Sequence, residues 1–70
     1  MGGRLASGTV TAFDEAVGLG TVTGDGGEEL DFHCTAIADG SRRIAVGTPV
    51  LFDTAPGHLG RMEAHAVTPR

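Results

Sequence analysis

An all-β domain, a small barrel or sandwich, is predicted by three observations. Apolar and polar residues alternate with a period of two over runs of about five residues. The chain's twelve glycines in seventy residues fall largely at the joints between those runs. No window carries an apolar stripe of helical period over three turns.

The first strand is read over 5–14, where Thr9-Val10-Thr11-Ala12-Phe13 is β-branched and alternating. Asp14-Glu15-Ala16 turns the chain into a second strand over 17–24. Gly24-Asp25-Gly26-Gly27 supplies the positive-φ positions of a hairpin. The third strand covers 28–34 around Leu30 to Cys34. Thr35-Ala36-Ile37-Ala38 is expected to make one helical turn ending at Asp39-Gly40. A fourth strand spans 48–55, Pro56-Gly57-His58-Leu59-Gly60 is a loop, and a last strand covers 60–68. Alternation then sorts the faces. Val10, Val22, Leu30, Phe32, Val50 and Phe52 form the inward set, while Leu19, Thr21, Asp31 and His33 share the exposed face of adjacent strands.

Residues 1–70 are read as one domain with a core of about 5–68. Large apolar residues are few, so net stability is expected on the order of 3–5 kcal/mol. Cys34 is the sole cysteine, and no internal disulfide can add to it. The start, Met1 to Ser7, lacks the apolar run of a signal peptide. No segment reaches the roughly 20 apolar residues of a membrane span. A cytoplasmic protein with no membrane partner, its Cys34 reduced, is the expectation.

Net charge is −4, nine acids against five bases, and every base is Arg. That balance disfavours non-specific attraction to phosphate, although Arg both stacks on bases and meets phosphate. Enzyme chemistry has no footing: Ser7 and Ser41 have no base nearby in sequence, and no carboxylate pair is specially placed. Cys34, His58 and His65 lack metal-ligand spacing. Gly18-Leu19-Gly20 lacks the third glycine and following helix of a dinucleotide site. No catalytic residue, metal or cofactor is expected.

Several segments, in order, resemble the bacterial cold-shock proteins. Gly8-Thr9-Val10-Thr11-Ala12-Phe13-Asp14 sits where that family has a glycine, a β-branched pair, a basic residue, Trp-Phe and Asn. Gly18-Leu19-Gly20-Thr21-Val22 sits where it has Gly-Phe-Gly-Phe-Ile. Leu30-Asp31-Phe32-His33-Cys34 stands for Val-Phe-Val-His-Phe, and Thr35-Ala36-Ile37 for Ser-Ala-Ile. Val46-Gly47-Thr48-Pro49-Val50-Leu51-Phe52 matches the strand after a Glu-Gly turn. The resemblance implies a five-stranded antiparallel barrel of the oligonucleotide-binding type. It also implies binding of single-stranded RNA or DNA, on exposed rings that each stack a base for roughly 1–3 kcal/mol.

Carried over by position, Ala12, Leu19, Thr21, Asp31 and Cys34 stand where rings are implied, and only Phe13 and His33 keep aromatic character. Asp31 adds a carboxylate that repels phosphate. The implied nucleic-acid-binding set is Phe13, Leu19, Thr21 and His33, with Arg42 and Arg43 for phosphate. Two expectations follow: a single-stranded nucleic-acid-binding module of weakened affinity, or a protein-interaction or homodimerising module whose altered face is Leu19, Thr21, Asp31 and Leu51. A small-ligand pocket is a remote third.

Overall fold

Strands follow one another in the expected order in the computed structural model, which describes residues 5–57 and 62–70. They are β1 (Leu5–Asp14), β2 (Leu19–Gly24), β3 (Glu29–His33), β4 (Pro49–Pro56) and β5 (Met62–Pro69). A 3-10 turn over Cys34–Ala36 follows β3, one residue earlier than the expected helical turn. Residues 1–4, the loop residues His58 to Gly60 and Arg61 of the expected last strand lie outside the described residues.

The strands close a barrel in the order β1-β2-β3-β5-β4. Every neighbouring pair is antiparallel except β3 with β5, which is parallel. The expected five-stranded barrel is thus present with one parallel joint, and the reason for that joint is parity. An odd number of strands in a closed ring cannot alternate direction throughout. The parallel seam is also the thinnest joint: Asp31 pairs with Glu63, and Ile37 bridges to Val67.

All six residues of the inward set are buried, at 2% exposure or less. Ile37, Ala64 and Val67 complete the core. On β5 the inward residues are three apart rather than two, because Ala66 takes a left-handed conformation, φ 52°. The extra residue lies between His65, paired with Asp53, and Thr68, paired with Leu51. This is a bulge that restarts the alternation. The Thr68 hydroxyl donates to the Ala66 carbonyl across it, at 3.0 Å.

A second bulge governs the site. On β1 the register shifts between Val10 and Ala12, so Ala12 pairs with Thr21 and Phe13 with Gly20. Strict alternation from Val10 would turn Phe13 outward; the inserted residue turns it inward instead. Phe13 stacks on Phe32 with ring centroids 5.9 Å apart and planes 16° from parallel. Gly20, between them in the same cross-strand row, makes room. A Cβ there would lie 2.6 Å from Phe32 Cζ and 2.8 Å from Phe13 Cδ1. Gly20→Ala is expected to lower unfolding free energy by about 1–3 kcal/mol through overpacking. Urea midpoints at unchanged m-value measure this, and a variant as stable as the parent would mean the ring pair shifts freely.

Candidate nucleic-acid interface

The outer face of β1–β2–β3 is laid out in cross-strand rows. Asp14, Leu19 and His33 make one row, and Ala12, Thr21, Asp31 and Glu63 the next. Neighbours across strands point the same way, so the expected exposed quartet of Leu19, Thr21, Asp31 and His33 is brought together. Leu19 is 51% exposed, His33 is exposed, and Thr21 and Asp31 are half-buried. Between the rows runs a shallow groove of about 490 Å³, and Asp14, Asp31 and Glu63 are the charged residues that line it. No Arg of the described residues does. Glu63 also meets His65, Oε1 to Nε2 at 3.5 Å.

His33 holds the end of β3. Its Nδ1 accepts from the Thr35 backbone N–H at 3.2 Å and lies 3.0 Å from the Thr35 hydroxyl. Accepting there requires an unprotonated Nδ1, which leaves the ring proton of neutral imidazole on Nε2. That nitrogen looks toward Gly18, where a Cβ would stand 3.7 Å from it and 2.9 Å from Cys34 Sγ. Gly18 has φ 73°, and its carbonyl accepts from the Cys34 N–H at 2.7 Å. Glycine is what lets the β1–β2 turn approach the end of β3 so closely.

Beyond His33 the surface carries both signs, with Glu15 as well as Arg42 in its lining. A second groove of about 400 Å³ runs past Val17, Gly18 and Cys34 to Ser41 and Arg42. Asp39 shapes this loop by accepting from the Ser41 N–H at 2.9 Å. Bonds from the Ser41 backbone and side chain hold its carboxyl below the ordinary value of 3.8. Arg43 Nη1 is 3.3 Å from Glu15 Oε2, with both side chains largely exposed. Such a pair adds no more than about 1 kcal/mol and leaves the guanidinium available to water or phosphate.

The expected binding residues thus divide. Leu19, Thr21 and His33 share the open face. Arg42 and Arg43 sit past its end, beside the β1–β2 turn. Phe13 is half-buried against Phe32 and reaches the groove as part of its lining rather than as a free platform. Leu51 does not belong to the expected interaction face. It lies on β4, two steps from β2 through β1 and two steps from β3 through β5. Two carboxylates on the face, Asp14 and Glu63, had no signal in the sequence: one is rotated there by the β1 bulge, the other arrives through the parallel seam.

Comparison with known proteins bears on this face. The family model described as "'Cold-shock' DNA-binding domain" matches residues 6–70. "Glycine-rich protein 2" of Nicotiana sylvestris is 41% identical over 68 residues, 94% of this chain and 32% of that protein. The chain therefore spans about a third of that relative's length. "Cold shock-like protein CspA" of Stigmatella aurantiaca is 41% identical over 58 residues, 80% of this chain and 85% of that protein. The solved structure described as "drosophila Unr CSD456" superposes with a TM-score of 0.81 at 26% identity, over 99% of this chain and 28% of that one.

Proposed function

The chain belongs to the cold-shock domain family, a nucleic-acid-binding family, and we propose that it binds single-stranded RNA or DNA over β2 and β3, only weakly. The observation that carries this is the register, Leu19 opposite His33 and Thr21 opposite Asp31, which makes one open face of the residues matched to the family's rings. Without three stacked bases, about 3–9 kcal/mol is forfeited relative to a ring-bearing face. Asp14, Asp31 and Glu63 add repulsion toward a polyanion. Phosphates are met beyond the face by Arg42 and Arg43. A cytoplasmic, non-enzymatic role is part of this reading.

The test is titration of labelled oligo-dT and oligo-U at low and at physiological salt, with amide shifts mapped by residue. A Kd in the micromolar range or weaker is expected at physiological salt. With two Arg contacts, log K should fall with log salt at a slope of about 1.4 or less. Shifts should gather on Leu19, Thr21, His33 and the Arg42-Arg43 loop. Nanomolar affinity with no salt dependence would overturn the reading. Absence of binding at low salt would favour the other role, a protein-interaction module on the same scaffold, for which the 51%-exposed Leu19 amid carboxylates speaks.

A further inference from the structure

We propose that the Glu15 carboxylate holds, in the free protein, the place of a nucleic-acid phosphate at the Arg42-Arg43 loop, and that a bound strand displaces it. The inference rests on the nucleic-acid reading above and adds an internal competitor to it. A cleft of about 340 Å³ beyond the end of the face is lined by Glu15, Ser41, Arg42 and Arg43. There Arg43 Nη1 lies 3.3 Å from Glu15 Oε2, joining residues 28 apart in sequence.

Local bonds fix both sides of the cleft. On the turn after β1, the Asp14 carbonyl accepts from the Gly18 N–H at 2.8 Å, and Asp14 Oδ1 accepts from the Ala16 N–H at 2.9 Å. Glu15 stands between those bonds, so the turn presents it in one position. On the loop, Asp39 takes the backbone and side-chain donors of Ser41, and the Gly40 N–H donates to the Ile37 carbonyl at 3.1 Å. Ser41 therefore shapes the loop, and the guanidinium groups of Arg42 and Arg43 are the anion-binding groups of the cleft.

A guanidinium meets a carboxylate and a phosphate with the same fork of donors, so one position serves either anion. The Glu15 and Arg43 side chains are 61% and 74% exposed, and the carboxylate turns out into water without uncovering any core. The groove that runs from Gly18 and Cys34 to Arg42 shares Glu15 in its lining, so a strand leaving the face at His33 arrives at this pair. Glu15 then lowers affinity by occupying Arg43, not by repulsion at a distance. Exchanging one ion pair for another also releases fewer counterions than a phosphate meeting an unoccupied Arg.

A double-mutant cycle tests this, with labelled oligo-dT titrated at several salt concentrations against the parent, Glu15→Gln, Arg43→Gln and the double variant. Glu15→Gln should bind about two- to fivefold tighter at low salt, the reach of an exposed ion pair. Its slope of log K against log salt should be steeper by up to about 0.7, the share of one phosphate on a single strand. With Arg43→Gln in place, Glu15→Gln should bring no gain. Glu29→Gln removes an exposed carboxylate at the far end of β3 and should change affinity by less than about 1.5-fold. All the substituted side chains are exposed, and circular dichroism checks that each variant folds. A Glu15→Gln variant that binds like the parent would overturn the proposal and leave the nucleic-acid reading intact. So would a gain that persists with Arg43→Gln or that Glu29→Gln matches, because Glu15 would then act through net charge alone. If neither the parent nor any variant binds at low salt, both the proposal and the nucleic-acid reading fall.

Discussion

Asp31→Phe combined with Thr21→Phe is expected to raise affinity for oligo-dT at least tenfold. The two positions face each other across β2 and β3, so the new rings would lie side by side on the open face. Two restored stacks contribute roughly 2–6 kcal/mol, and the removed carboxylate ends one repulsion of the phosphate chain. Both side chains are half-buried on the outer face rather than in the core, so the fold should survive. The enlarged apolar patch calls for a check of monomeric state. A folded, monomeric variant that binds oligo-dT no better than its parent would remove the nucleic-acid reading of this face.

Phe32→Ala is expected to unfold the protein at 25 °C. Truncating a buried Phe costs about 3–5 kcal/mol, as much as a core this lean supplies in total, on the order of 3–5 kcal/mol. Phe32 is 2% exposed and carries the stacked Phe13 ring, so the floor of the groove goes with it. Phe32→Leu keeps most of the volume and should retain a cooperative urea transition with a lowered midpoint. A cooperative transition of parental midpoint in Phe32→Ala would contradict this account of the core.

The parts of the fold that local periodicity controls were legible in the sequence. Period-two alternation located β2 and β3 and placed Val22, Leu30 and Phe32 inward, because neither strand has an irregularity. It failed where one residue is inserted. Thr11 on β1 and Ala66 on β5 each reset the phase, and nothing in either residue type announces it; alanine is an uncommon occupant of the left-handed region. Hence Phe13 lies against the core, and Ala64 and Val67 joined the buried set unannounced. The parallel β3–β5 seam is a property of the ring, invisible to any short window. Alternation also located Leu19, Thr21, Asp31 and His33 on one face, and the register agrees. It could not indicate that Arg42 and Arg43 stand beyond the end of that face, because a loop has no periodicity to read.

The thin seam between β3 and β5 has a consequence for motion. A barrel that breathes will part where the fewest pairs hold it, and here that means Asp31 leaving Glu63 and Ile37 leaving Val67. Asp31 also sits at the centre of the groove. Whatever occupies the groove only while the barrel is shut stabilises the closed state by mass action, and slows amide exchange in β5 without touching most of that strand. The β1–β2–β3 meander is made of contacts near in sequence, whereas the seam joins residues far apart. The face that would receive a nucleic acid can therefore assemble first, and its occupant helps to fasten the part of the chain that arrives last.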